Sequence, residues 1–181
     1  QSLFRDAKFE FGERGVLGNL ANVCWALGDL EAAASSFVEC VDRLRSSPAS
    51  RSNSLGFALC NLAGVLTESG EPERALEAAR EGFPLLRDDD YIWIFVDHMA
   101  LRAALAGRGT DAARIAGYAD AIRAQKQAPR EPTEARARAR LQAWLEERID
   151  PSQLALLFAA GVIFFFAYNW ARMGAFLKLG L

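Results

Sequence analysis

The residues with the clearest chemical potential surround the single histidine of the chain. His98 directly follows Asp97, and three further aspartates, Asp88, Asp89 and Asp90, lie upstream. A histidine beside a carboxylate could act as a general base, and the aspartate run could supply oxygen ligands to a metal ion. Adjacent residues on a helix point in different directions, however, and an aspartate run before an apolar segment is typical of a helix N-terminus. We therefore predict no catalytic residue, no metal site and no enzyme.

Three alternating arginines form a second chemical candidate, in a helix that Pro132 is predicted to open. Arg136, Arg138 and Arg140 could bind phosphate groups if their side chains converged. Four acidic residues accompany them: Glu131, Glu134, Glu146 and Glu147. The formal net charge of −2, with 24% charged residues, gives the chain no overall basic field. We therefore predict a solvated helix face with ion pairs, and no direct nucleic acid binding.

The sequence shows neither a nucleotide-binding loop nor a disulfide framework. Gly12, Gly15 and Gly18 lack the Lys and the Ser or Thr of a phosphate-binding loop, so we expect no cofactor. The cysteines are odd in number, lie in apolar patterns and form no C-x-x-C pair: Cys24, Cys40 and Cys60. We interpret them as small buried residues of a reducing compartment. We expect no signal peptide in this segment, because no charged region precedes an apolar core, and we expect the chain to be part of a longer polypeptide.

The elements that carry these residues repeat along the chain. The segment "NLANVCWALGDLEAAASS", from Asn19, returns as "NLAGVLTESGEPERALEA", from Asn61. A fixed offset over this many positions indicates a structural repeat. A third, degenerate copy follows, with these residues in the same columns: Met99, Ala100, Gly107, Ala112 and Ala116.

Each copy has the pattern of two amphipathic helices joined by a glycine. In the first copy, the apolar residues of the first helix are Leu17, Leu20, Ala21, Cys24 and Leu27. The second helix is predicted from Leu30 to Leu44. Two alanine columns predict close helix packing, and they contain Ala21, Ala63 and Ala100, and Ala33, Ala75 and Ala112. Glycine at the end of each first helix can take the left-handed conformation: Gly28, Gly70 and Gly107.

These columns resemble the tetratricopeptide repeat, a helical hairpin of about 34 residues. The first copy matches it at Leu20, Ala21, Gly28, Asp29, Ala33 and Phe37, and the second at Leu62, Ala63, Gly70, Glu71 and Ala75. The resemblance implies a right-handed stack of hairpins whose curved groove binds a peptide or a neighbouring domain. From Gly15 to Glu147 the chain also resembles the C-terminal repeats of bacterial signalling regulators, in which a winged-helix output domain and an ATPase module precede the repeats. That implies a non-catalytic interaction or sensor module.

The first helices of the repeats would line the groove of such a stack. We predict Asn19, Asn22, Asn61 and Trp93 as groove residues. The aromatic run 91–95 alternates like a strand, but the alanine-rich copy around it favours a helix whose aromatics pack between units or line the concave surface.

The C-terminal tail differs in character from the repeats. Pro151 to Ala171 contains no charged residue and is long enough to cross a bilayer core of about 30 Å. The tail from about residue 152 resembles the first membrane span of an uncharacterised bacterial multi-span protein family, through the segment "GVIFFFAYNWARMGAFLKLGL" that begins at Gly161. We favour a span, and the alternative is a helix that caps the repeats. The excess of arginine before the run predicts that the repeats lie in the cytoplasm.

The complete prediction is an all-α protein with a TPR-like solenoid and one very apolar C-terminal helix. We expect about three hairpins over residues 1–125, a charged helix ending the solenoid over 126–150 and the apolar helix over 151–181. The predicted function is protein or peptide binding in a cytoplasmic regulator. The alternative function is a scaffold tethered to the inner membrane through residues 151–171.

Overall fold

The described structure consists of helices, as the repeat pattern predicts. The computed structural model describes residues 16–46, 52–86 and 91–172, and for residue 52 and residues 168–172 it describes the backbone alone. Within these ranges the chain forms helices and no strand. It divides into two compact units, Gln1–Phe95 and Val96–Leu181. The domain boundaries that we place at residues 125 and 150 from sequence stay predictions.

The described residues of the first unit form two helical hairpins followed by one 3₁₀ turn. Helix α1 covers residues 16–27 and α2 covers Leu30–Ser46. The second hairpin consists of α3, Ser52–Glu68, and α4, Pro72–Leu86. Its second helix begins at Pro72, which is tolerated in a first turn because its missing N–H would have no helical partner there. The 3₁₀ turn, Ile92–Phe95, replaces the start of the helix that we predict for the aromatic run.

The small-residue columns are confirmed as the contact points of the paired helices. All six alanines are fully buried: Ala21, Ala33, Ala63, Ala75, Ala100 and Ala112. The three glycines that end the first helices have φ angles of 87°, 82° and 76°, at Gly28, Gly70 and Gly107. A side chain would strain the backbone at these angles, which explains why glycine is kept at all three positions. The similar angles show that the third hairpin has the same turn, although its sequence has diverged.

Up to residue 172, the second unit consists of the third hairpin and two further helices. The hairpin consists of α5, Val96–Leu105, and α6, Gly109–Lys126. Helix α7, Pro132–Arg148, begins at the predicted proline. A capping box precedes it, in which the backbone N–H of Glu131 donates to Oε2 of Glu134 over 2.7 Å. The last helix is α8, Pro151–Arg172.

Helix α8 packs on α6 at two glycines that bring the backbones into direct contact. A Cβ added at Gly117 of α6 would lie 2.2 Å from the carbonyl oxygen of Phe158, and one added at Gly161 of α8 would lie 2.0 Å from that of Arg114. Both distances are far below van der Waals contact, so glycine alone permits this crossing. The crossing fixes the rotation of α8 and therefore decides which of its faces is buried.

The interpretation of the tail as a membrane span is not supported by the described helices. None of those helices combines the length and the apolarity that a bilayer crossing requires. Residues 173–181, which belong to the predicted apolar helix, lie outside the described residues. Leu154 and Leu157 join the core of the second unit, and Phe165 is buried with its ring 5.5 Å from that of Tyr118. The apolar content of α8 is therefore partly explained by packing against α6, as in the capping alternative.

Candidate protein-interaction surface

Two of the predicted groove residues meet across the first helices of the first two hairpins. Nδ2 of Asn61, on α3, donates to Oδ1 of Asn22, on α1, over 3.4 Å. Asn19 is exposed one turn before Asn22, while Asn61 is half-buried. At this length the amide–amide hydrogen bond is weak, and the side-chain amides can exchange it for bonds to another chain.

Buried polar and aromatic contacts hold α1 against α3 and thereby position the asparagines. Nε1 of Trp25 donates to Oε1 of Glu68 over 3.0 Å, and both residues are buried. The indole also meets the ring of Phe37 edge-on, with 6.3 Å between the ring centroids. Because the indole N–H has a side-chain oxygen acceptor inside the unit, this contact is geometrically specific.

An apolar stripe on α1 lies beside the asparagines and is exposed. The α1 stripe consists of Val16, Leu20, Val23 and Leu27, which are 67%, 52%, 54% and 81% exposed. Their spacing of four, three and four residues places them along one line of the helix. The sequence pattern assigns Leu20 and Leu27 to the apolar side of the helix together with Ala21, and the structure instead buries Ala21 and Trp25. Periodicity identifies the apolar residues but does not separate two adjoining faces.

Trp93 lies apart in the chain from the asparagine pair. It is half-buried in the 3₁₀ turn that follows the second hairpin. Around this turn the ring of Phe57 packs against Tyr91 at 5.2 Å and Phe95 at 5.8 Å. The aromatic run therefore packs within the first unit, on α3, and a binding role for Trp93 stays a prediction.

The histidine that could have been a base is buried and uncharged. His98 is 2% exposed on α5, and burial, with the charges of Arg136 and Arg123, lowers its pKa to about 3. Asp97 is fully buried and accepts from Nε of Arg123 over 3.1 Å and Nε of Arg130 over 2.9 Å. A base with this pKa is inefficient near neutral pH.

No metal site is formed by the part of the chain that the structure describes. His, Cys, Asp and Glu side chains do not gather there into any group of three that could hold an ion. The aspartates predicted to cap a helix, at positions 88–90, fall outside the described ranges. Cys40 and Cys60 are buried, as predicted, while Cys24 is half-buried, and burial raises the pKa of Cys60 to about 12.

The arginines of α7 form the predicted solvated face with ion pairs only in part, because Arg138 is largely covered. The side chain of Arg138 is 17% exposed and donates to Asp120 of α6 over 2.8 Å, with its guanidinium 4.9 Å from the ring centre of Phe158. Asp120 also pairs with Arg130, over 2.5 Å. Arg140 is exposed, as predicted. Arg138 is covered because its partners lie on other helices. The sequence of α7 does not show those partners.

The repeated hairpins and their buried alanine columns define the first unit as an α-helical repeat. A family model described as tetratricopeptide repeat matches residues 14–88, which include both hairpins of that unit. The match supports a tetratricopeptide-repeat region in this part of the chain. Comparison with curated proteins gave no match, and comparison with solved structures gave none either.

Proposed function

We propose that the chain is a non-catalytic protein-interaction module that binds a peptide or a neighbouring domain through α1 and α3. The observation that carries the proposal is the pairing of Asn22 with Asn61 beside the exposed α1 stripe. Tetratricopeptide repeats generally mediate protein–protein contacts, so the family match points in the same direction.

The two parts of this surface provide different components of binding. Asn19, Asn22 and Asn61 each carry a donor and an acceptor, which suit the peptide groups of an extended partner segment. The α1 stripe provides apolar area, whose burial contributes most of the favourable free energy of association. A partner segment fits both parts when it is extended, has peptide N–H and C=O groups available for hydrogen bonds, and carries an apolar side chain beside them.

The proposed setting is a bacterial signalling or transcription regulator, with the repeats in the cytoplasm. It depends on the resemblance of residues 15–147 to the repeat region of such regulators. In that setting the ligand is either a separate protein or an upstream domain of the same polypeptide. The function does not require a cofactor, because recognition by amides and apolar side chains needs none.

Site-specific photo-crosslinking tests the proposal even when the ligand has not been identified. A photoreactive benzoylphenylalanine replaces Val23 in the α1 stripe of the full-length protein, and it replaces Glu147, an exposed residue of α7, in the control. We expect Val23 to yield a defined cross-linked species, identified by mass spectrometry, that the control position does not give.

Affinity measurements with the identified ligand then test the residues. We expect Asn22→Ala to weaken binding about tenfold, the loss of roughly one hydrogen bond between partners, and Leu20→Glu to abolish it. Glu147→Ala is the matched control and should retain full affinity. Unchanged affinity in both surface variants, at unchanged helical content, would refute the proposed binding surface.

A further inference from the structure

Helix α8 presents a second exposed apolar surface, in the second unit. Its large apolar residues are Leu156, Ile163, Phe164 and Phe166, which are 72%, 67%, 63% and 63% exposed. The opposite side of the helix is buried, at Leu154, Leu157, Gly161 and Phe165. Helix α8 is therefore apolar on both sides, and α6 covers one of them.

The spacing of the exposed residues is that of a two-helix seam. Leu156, Ala159, Ile163 and Phe166 follow one another at intervals of three, four and three residues and are all exposed; we call these four residues the α8 seam. A strict alternation of three and four residues is the pattern with which one helix packs along another. The close glycine crossing with α6 fixes the rotation of α8, so the seam faces away from α6.

The α8 seam is symmetric about the level of residue 161. Leu156 and Phe166 each lie five residues from that level, and Ala159 and Ile163 each lie two residues from it. In an antiparallel pair of two identical helices, Leu156 would therefore face Phe166 of the other copy, and Ala159 would face Ile163. The small residue opposite the branched one lets the two helices approach, and an isologous contact of this kind closes with two copies.

Charge favours a protein partner of the same kind over a lipid surface. From Pro151 to Ala171 the helix has no charged residue, so a second copy would bury no unpaired charge at the seam. A helix that lies in a membrane interface has a basic polar face opposite its apolar one, whereas the opposite face of α8 is apolar and packed on α6.

The exposed area is sufficient for a weak dimer. The large side chains of the α8 seam, Leu156, Ile163 and Phe166, each offer more than roughly 100 Å² to a partner, judged from the area that aromatic side chains bury, and Ala159 adds a smaller area. Two copies would together bury roughly 700 to 1,000 Å², close to the lower limit for a specific interface.

We propose that two copies of this chain associate through antiparallel pairing of their α8 seams. The association is expected at micromolar concentrations, as for a small interface. This proposal does not depend on the ligand of the first unit.

Sedimentation velocity of the full chain over a concentration series tests the proposal. The wild type should shift from monomer to dimer with increasing concentration, and Ile163→Glu should keep the protein monomeric because a carboxylate would be buried at the pairing surface. Ala143→Glu, at an exposed position of α7, is the matched control and should dimerise like the wild type. Circular dichroism should be the same for all three, since both positions are exposed.

A charge-pair variant tests the antiparallel register. Ala159→Glu alone should weaken the dimer, and adding Ile163→Lys should restore at least part of it, because the two positions face each other across the pair. In a parallel pair position 159 faces its own copy, so the second change would restore nothing, and that result would overturn the register.

Four other outcomes would overturn the dimer itself. A wild type that stays monomeric at all concentrations would do so, as would equal association of wild type and Ile163→Glu. Loss of association in Leu20→Glu would indicate head-to-tail contact with the α1 stripe instead. A monomer that floats with phosphatidylcholine and phosphatidylglycerol vesicles, and loses this with Ile163→Glu, would assign the seam to a lipid surface.

Discussion

The titration of His98 makes acid sensitivity a direct consequence of the packing of the second unit. Its imidazole is 2% exposed, and burial together with the positive charges of Arg136 and Arg123 lowers its pKa from 6.5 to about 3. The pKa of such a group is lower in the folded state than in the unfolded state. The group therefore makes its full contribution to stability at pH values above the unfolded pKa. This stabilisation is lost as the pH falls from 6.5 towards 3, because the unfolded chain then binds a proton that the folded chain does not.

The size of the effect follows from the two pKa values. Each unit of pKa difference corresponds to about 1.4 kcal/mol, and pH 5.0 lies about 1.5 units below the unfolded pKa. Lowering the pH from 7.5 to 5.0 should therefore decrease the free energy of unfolding by about 2 kcal/mol through His98 alone. Glu134 acts in the opposite direction, since burial raises its pKa in the folded state.

Urea unfolding of the wild type and of His98→Gln at both pH values isolates the histidine. The glutamine changes packing by the same amount at each pH, and the carboxyl groups titrate in both proteins, so the difference between the two proteins reports His98. We expect the wild type to lose about 2 kcal/mol more than the variant between pH 7.5 and 5.0. Equal losses in the two proteins, or an imidazole that titrates near pH 6.5 in the folded state by NMR, would refute the reasoning.

Three further predictions concern packing, charge and the last helix. Ala63→Leu should destabilise the protein by roughly 1 to 3 kcal/mol because the α3–α4 contact has no room for a larger side chain, and thermal melts with Arg140→Ala as the exposed control would show it. Asp97→Asn should cost about 3 to 5 kcal/mol in urea unfolding, since two arginines would lose a fully buried partner, and a cost below 1 kcal/mol would contradict the network. Truncation after Asp150 should cause aggregation in size exclusion, because α8 covers apolar residues of the second unit; a folded, monodisperse product would contradict that packing role of the tail.

The repeat architecture of the first unit could be predicted because its determinants recur in the sequence. Gly28 and Gly70 end their helices because each turn requires a positive φ angle. Ala21 and Ala63 are buried at positions where two adjacent helices approach each other. Such signals depend on local conformation and on neighbours a short distance along the chain.

From sequence, the candidate surface is inferred from the repeat class: first helices line the groove of a hairpin stack, so the asparagines are assigned there. The structure adds that Asn61 donates to Asn22 across those helices, and their role as groove residues stays a prediction. The α1 stripe could not be separated from the core face, since Leu20 and Leu27 are as apolar as the residues that are buried.

The helices, their turns and the small residues at their contacts can be predicted from the sequence, because helical periodicity and glycine conformation are local properties. Which apolar faces are covered and which charges are paired depends on the tertiary fold. Asp97 finds Arg123 and Arg130 at separations of 26 and 33 residues, and no helical pattern encodes such a pair. The uncharged run of α8 has the pattern of a membrane span since lipid and a protein core select the same side chains, and only the backbone contact at Gly117 and Gly161 shows what one of its faces packs against.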